Sequence, residues 1–303
     1  MYDLIIVGGG VVGLGAAMYA GRLNLKTAMI GDNIGGTIAL TDVVENYPGF
    51  ERLTGLELAE KLRKHAKNYD VELVEDKVTK IEKKDNFFVV DTEEKIYEAK
   101  SVLVATGSRH RELGVPGEKE FEGKGVHSCA LCDGYAYKEK TIAVVGGSDS
   151  AGKEALLLTQ WGRKVYIIYR GDQIHPEPVN MKRIETNKKI EIINKANVKE
   201  IRGNKVIKGV VLDRPYNGSN ELPLDAVFVE IGATPMSQLA EKLGVKLNDK
   251  KEIIIDRESK TNVPGVFAAG DVVDTKFKQA ITGVGEAVSA VYSAYKYVNE
   301  NEL

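Results

Sequence analysis

Tyr2-Asp3-Leu4-Ile5-Ile6-Val7-Gly8-Gly9-Gly10-Val11-Val12-Gly13 is the stretch that decides the fold. Its first six residues form an almost unbroken apolar run, which reads as a strand. Glycines follow at once with Gly-x-Gly-x-x-Gly spacing at Gly8, Gly10 and Gly13. Val11 to Leu23 is rich in Ala, Leu, Met and Gly and free of Pro, so it reads as a helix, and Lys26 to Ile30 reads as the next strand. In such a unit the first glycine permits the tight turn. The second lets a pyrophosphate approach the backbone, and the third lets helix and strand pack closely. Unpaired N–H groups at the helix start favour the phosphates. A dinucleotide-binding unit is therefore expected at this end of the chain.

The same grammar returns further along. Thr141 to Val145 is an apolar strand, Gly146, Gly147, Ser148, Asp149, Ser150 and Ala151 form the turn, Asp149 to Trp161 reads as a helix, and Lys164 to Tyr169 is the following strand. Here Ser148 stands at the second glycine position and Ala151 at the third. Alanine is tolerated for helix packing, whereas the serine side chain occupies space a pyrophosphate would use. A Rossmann-shaped turn without ligand is the competing reading. Val71 to Ala99 alternates and is charged, as in a small antiparallel meander, and Lys195 to Leu212 repeats that texture. Gly114 to Gly125 and the surroundings of Gly232-Ala233-Thr234-Pro235 are punctuated like domain junctions. After the second come a strand over Glu252 to Asp256, the run Val263 to Asp271, and a helix over Gln279 to Asn299. The expectation is an α/β protein with two Rossmann-like, three-layer nucleotide-binding domains, the second inserted in the first. Residues 1–113 and 236–303 form the outer domain and 114–235 the inserted one.

Composition is ordinary for a globular chain of 303 residues with a sizeable core: 43% hydrophobic and 28% charged. A formal net charge of −2 points to neither a nucleic-acid surface nor a polybasic membrane anchor. The apolar run Leu4 to Val7 is too short to span a bilayer and no basic segment precedes it, so a cytoplasmic location is expected. The two cysteines both lie in Cys129-Ala130-Leu131-Cys132, and none of the four histidines forms a His-x-x-x-His-like pair, so a metal site is not expected. A lone Cys-x-x-Cys instead fits redox chemistry: the spacing allows a disulfide to form and break with little backbone movement. Asp133, next to Cys132, is placed to pass a proton to or from the pair. An inert dithiol with Asp133 as a helix cap is the bland alternative. Near the C-terminal end, Gly270-Asp271 follows a short strand and offers a carboxylate for sugar-like hydroxyls. Lys278-Gln279-Ala280 opens a helix whose free N–H groups would favour developing negative charge.

Taken in order, Gly8 to Gly13, Gly35-Gly36, Glu45-Asn46-Tyr47-Pro48-Gly49, Ala105-Thr106-Gly107, Cys129 to Gly134, Gly146 to Ala151, Gly265 to Asp271 and Lys278 to Ala280 resemble the low-molecular-weight thioredoxin reductases, the two-cysteine flavoproteins, over essentially the full chain. The Cys-x-x-Cys inside the inserted domain is the most specific of these features. The resemblance implies FAD held by Gly8, Gly10, Gly13, Gly35, Gly36, Thr37, Asn46, Gly107, Gly270, Asp271, Lys278, Gln279 and Ala280. It also implies a nicotinamide nucleotide at Gly146, Gly147, Ser148, Asp149, Ser150, Ala151 and Arg170. Cys132 would face the flavin, Cys129 would attack the disulfide of thioredoxin or a similar small dithiol protein, and Asp133 would move the proton. The family is typically homodimeric.

One part departs from that pattern. NADPH-using relatives commonly carry several arginines after the second strand of the inserted unit, whereas this chain reads Tyr169-Arg170-Gly171-Asp172-Gln173-Ile174-His175. Arg170 is the one clear partner for a 2′-phosphate. NADPH is therefore expected, with NADH or another electron donor as alternatives. A dithiol oxidase on the same fold and an FAD-binding scaffold with structural thiols are the rival functions.

Overall fold

β1 (Tyr2–Val7), α1 (Val11–Arg22) and β2 (Thr27–Gly31) follow one another as the glycine spacing requires in the computed structural model, which describes residues 1–300. α2 (Gly55–Ala66) comes next, closed at its start by a reciprocal capping box between Thr54 and Glu57. β3 (Val71–Glu75) pairs parallel with β2. β4 (Val78–Lys83), β5 (Phe88–Thr92) and β6 (Ile96–Val104) form the antiparallel meander. The meander is thus shorter than the alternation in Val71 to Ala99 suggests. Val71–Glu75 joins the parallel sheet beside β2 instead, because its residues register with Thr27 to Gly31.

β7 (Ser108–His110) lies where the chain leaves this unit. The second unit contains β8 (Val126–His127), α3 (Ala130–Asp133), β9 (Thr141–Val145), α4 (Asp149–Leu158), β10 (Lys164–Tyr169), α5 (Pro178–Thr186) and β11 (Ile190–Asn194). It continues through β12 (Val198–Gly203), β13 (Ile207–Tyr216), β14 (Ser219–Pro223) and β15 (Ala226–Val229). β16 (Ala233–Pro235) returns the chain, pairing with β7, and α6 (Gln238–Lys242), β17 (Val266–Ala268) and α7 (Ala280–Glu300) complete the first unit. The two units are Met1–Arg109 with Pro235–Leu303, and His110–Thr234. The first crossing precedes Gly114. Arg111 already donates its N–H to Gly232 O, and Glu118 accepts from the N–H groups of Leu113 and Gly114, so this stretch is tied into the second unit.

Both units are three-layered and Rossmann-like. The first has the strand order β3-β2-β1-β6-β5-β4, with β17 alongside the end of β6. Leu4 and Ile6 face the alanines of α1 and α7 (Ala16, Ala17, Ala20, Ala287, Ala290), while Ile5 and Val7 face Phe88, Val90, Val245 and Ile253. Covering both faces explains why β1 reads as a continuous apolar run. Each of its fully buried side chains contributes about 2 kcal/mol. The second unit repeats the plan with the order β11-β10-β9-β15-β8. Ile142 and Val144 pack on α4 and α5, and Ala143 and Val145 pack on the three-stranded sheet β12-β13-β14.

Two further elements differ from the sequence reading. The helix expected over Asp149 to Trp161 stops at Leu158, where Thr159 Oγ1 donates to Leu156 O and Gly162 N–H to Leu158 O. No strand forms over Glu252 to Asp256. Ile253 alone makes bridges, to Leu247 and Val273, because Lys251 turns the chain through a left-handed φ of 64° and Asp256 enters a turn with Lys260. Among the described residues no helix is long and apolar enough to cross a membrane.

Candidate active site

In the first unit, the glycine turn is held by backbone contacts that admit no side chain. A Cβ on Gly13 would lie 2.0 Å from Gly8 O. Gly10 bridges Gly35, Gly35 N–H donates to Gly9 O, and Gly36 sits at a φ of 66° against Gly10. Gly10 itself is open on its Cβ side, with nothing nearer than Gly36 Cα at 3.9 Å. That opening between two glycine turns, at the start of α1, is the space a pyrophosphate needs.

The other expected flavin residues of this unit gather by direct contacts. Asn46 Nδ2 donates to Gln279 Oε1 at 3.0 Å, although 233 positions separate them. Ser108 Oγ donates to Asp271 Oδ2 at 3.4 Å. Gly270 N–H is held by Glu286 on α7, and Ala280 is the first residue of that helix. Gly107 has a φ of 67° and accepts from Met236 N–H. Thr37 is exposed and opens a short 3₁₀ turn directly after Gly36. Lys278 turns inward: its ammonium donates to Asp271 O and pairs with Glu252 at 2.8 Å.

In the second unit the turn is more crowded. Gly146 keeps the strand-closing role, since a Cβ there would meet Glu230 O at 2.1 Å. Ser148 is the N-cap of α4 and makes no side-chain cap hydrogen bond. Asp149 is occupied by Glu177 N–H, Asn180 Nδ2 and Lys153, which tie the segment before α5 to α4. Ser150 is exposed and Ala151 buried within the first turn of α4. The Tyr169 ring lies against both Gly147 and Gly171, where a Cβ would come within 2.5 Å of it. This accounts for glycine at 171, where an arginine would displace the ring. Arg170 is exposed and has no ion pair among the described residues, while Asp172 pairs with Lys195. His175 N–H donates to Gly147 O.

Cys129 and Cys132 form a disulfide with Cα atoms 5.4 Å apart. Cys129 caps α3, and its sulfur accepts the Cys132 N–H at 3.1 Å. Cys129 is buried and Cys132 exposed. Asp133 Oδ2 lies 3.1 Å from Nδ1 of His127, whose Nε2 is 2.7 Å from the Tyr137 hydroxyl. Beneath α3, Glu154 accepts the Ala130 N–H. Burial pushes its carboxyl up to about 7, against the pull of that hydrogen bond. Burial, with Glu154 nearby, pushes Glu230 up to about 8. Among the described residues no cluster of His, Cys, Asp or Glu is placed to hold a metal ion.

His127, Tyr137, Glu154 and Glu230 were not singled out by sequence. Glu154 carried a signal: it falls on the helical stripe of Ala151, Ala155 and Leu158, where a carboxylate is out of place. His127 carried none, since a lone histidine on a strand has no periodicity to violate.

A profile of the pyridine nucleotide-disulphide oxidoreductases matches residues 2–287. A thioredoxin reductase of Bacillus subtilis is 38% identical, with 99% of this chain and 96% of the relative covered. The crystal structure of Lactococcus lactis thioredoxin reductase superposes with a TM-score of 0.95 at 37% identity, covering 99% of this chain and all of the other. That of T. acidophilum thioredoxin reductase gives 0.92 at 35% identity, covering 97% and 98%.

Proposed function

The chain belongs to the pyridine nucleotide-disulphide oxidoreductases, and on that premise we propose that it is a thioredoxin-disulfide reductase that takes electrons from NADPH and uses FAD as its flavin. The carrying observation is the Cys129–Cys132 disulfide on α3, in a Rossmann-like unit of its own and with Asp133 in the same turn. The flavin, when bound, supplies a two-electron link between a nicotinamide and a disulfide. The open side of Gly10, the Gly35-Gly36 turn and the Asn46–Gln279 contact fit its pyrophosphate and ring ends. The Asp271 carboxylate suits ribityl hydroxyls. Arg170 is the group for a 2′-phosphate and makes NADPH the preferred donor over NADH.

The chain's own residues then perform thiol–disulfide exchange. The Cys132 N–H stabilises negative charge on Cys129 sulfur, which fits it as the attacking thiolate. The other thiol resolves the mixed disulfide. Asp133 exchanges protons with the pair. A homodimer in the cytoplasm belongs to the same reading.

The test follows flavin absorbance anaerobically, then turnover with an oxidised thioredoxin. NADPH is expected to bleach the flavin faster than NADH. Cys132→Ser is expected to retain bleaching and lose thioredoxin reduction. Failure of both nucleotides to bleach the flavin, or full turnover in Cys132→Ser, overturns the proposal.

A further inference from the structure

Asp133 sits between two unlike surroundings. On one side it adjoins Cys132. On the other it meets His127, and both line a cavity of about 380 Å³ within the second unit. The His127 side chain is only 8% exposed, against 42% for Asp133. Its ring stacks on Phe228 with centroids 5.3 Å apart and meets Tyr137 edge-on. A histidine buried this deeply, with both ring nitrogens engaged, is held in one orientation.

The direction of its hydrogen bonds follows from charge. Burial holds His127 below the ordinary imidazole value, even against the attraction of Asp133, so the ring is neutral near pH 7. Burial, together with Asp133 and Asp225, pushes the Tyr137 phenol up, so it keeps its proton. Tyr137 O–H therefore donates to Nε2, which leaves the ring proton on Nδ1, facing Asp133 Oδ2. The charged groups of the cavity do not compete for the ring. Glu118 is taken by the N–H groups of Leu113 and Gly114, Lys119 pairs with Glu112, and Arg111 and Glu122 are exposed.

We propose that His127 is a positioning residue for proton transfer at the cysteine pair, its Nδ1–H holding the Asp133 carboxylate and the Tyr137 hydroxyl fixing the tautomer that makes this possible. The inference rests on Asp133 being the proton-transfer group. In the reduced protein, a thiol of the pair gives its proton to Asp133, and the thiolate attacks the partner disulfide. The partner's S–S bond breaks, and the leaving sulfur takes the proton from Asp133. The remaining thiol then gives its proton to Asp133 and attacks the mixed disulfide. The Cys129–Cys132 bond closes, and the second leaving sulfur takes that proton. Two electrons and two protons pass to the partner. His127 remains neutral throughout and stabilises the carboxylate each time it forms.

The test uses the flavin-loaded full chain, pre-reduced, in single turnovers with two small probes. Hydroxyethyl disulfide has an alkyl thiolate leaving group that needs a proton. Dithiobis(nitrobenzoate) has a stable thiolate leaving group that does not. His127→Leu is expected to slow the first reaction about tenfold and the second less than about twofold. His127→Asn, whose side-chain amide offers an N–H near the place of Nδ1, is expected to recover most of the loss. Equal slowing of both probes, or no recovery with asparagine, overturns the proposal and marks His127 as structural. Asp133→Asn separates the premise: if it leaves the alkyl reaction unchanged, the reading of Asp133 fails first. If it slows that reaction and His127→Leu does not, only the role of His127 fails.

Discussion

Gly8–Gly13 and Gly146–Ala151 occupy equivalent places, each between a central parallel strand and its helix. In both, the first glycine is required by the backbone: a Cβ on Gly8 would lie 2.1 Å from Ala105 O, and one on Gly146 would lie 2.1 Å from Glu230 O. They part at the second position. Gly10 is open beside the Gly35-Gly36 turn, whereas its counterpart is Ser148, and the neighbouring Gly147 is covered by the Tyr169 ring. They part again at the third, where Gly13 touches backbone but Ala151 accommodates a methyl group. The glycine that closes the fold is kept in both turns. The glycine expected to serve ligand approach is kept only in the first. Fold and ligand fit are thus separable demands on the same motif.

The largest expected effect breaks the first turn. Gly13→Val would set a side chain 2.0 Å from Gly8 O, in backbone that cannot move without opening the β1–α1 junction. Purified protein is expected to be colourless, and turnover lost. Ala151→Gly at the matching place of the second turn should leave the flavin spectrum intact and cost about 1 kcal/mol in helix propensity. Full flavin content in Gly13→Val would refute the close-packing account.

The units also differ in buried charge. The second holds Glu154 and Glu230 with carboxyls raised to about 7 and about 8 from 4.5, and the resolved carboxylate shifts of the first unit are all downward. A raised carboxyl favours folding in full below its unfolded value, and that contribution is lost as pH rises through the folded value. The second unit should therefore weaken between about pH 5 and pH 8, by roughly 3 kcal/mol for each of the two carboxyls. Glu230→Gln should flatten this dependence and raise the melting temperature at pH 8. Hydrogen exchange resolved by unit would check it, and a uniform pH response in both units would contradict it.

Much of this was legible in sequence because backbone demands leave a periodic trace. The apolar run of β1 recorded a strand, and the Gly8, Gly10, Gly13 spacing recorded the β1–α1 junction. The Cys129–Cys132 disulfide was legible because its cysteines lie three positions apart at the start of one short helix. What escaped was set by distant partners. Val71–Glu75 reads like the meander that follows it, and only its register with β2 makes it parallel. The Asp149 carboxylate accepts from Glu177 N–H and Asn180 Nδ2, 28 and 31 positions away, contacts that no local pattern records. His127 gains its meaning from Phe228 and Tyr137, neither of which leaves a mark on its own neighbourhood.

The donor site offers smaller effects. Arg170 stands exposed at the end of β10, without an ion pair among the described residues. Arg170→Ala is expected to raise the KM for NADPH about tenfold, the scale of one charge-assisted contact, and to change that for NADH less than about twofold. Equal changes for both nucleotides would show that Arg170 does not meet a 2′-phosphate.

The smallest effect tests the second position directly. Ser148 is the N-cap of α4, but its side chain makes no cap hydrogen bond, so removing it costs the helix only a few tenths of a kcal/mol. Ser148→Gly gives the second turn the opening that Gly10 has in the first. If the serine crowds the pyrophosphate, kcat/KM for the nicotinamide donor should rise about threefold, equivalent to roughly 0.7 kcal/mol, with thioredoxin reduction by pre-reduced protein unchanged. If kcat/KM falls instead, the hydroxyl is itself a phosphate ligand. The two turns would then differ in how they hold the phosphate rather than in how much room they leave for it.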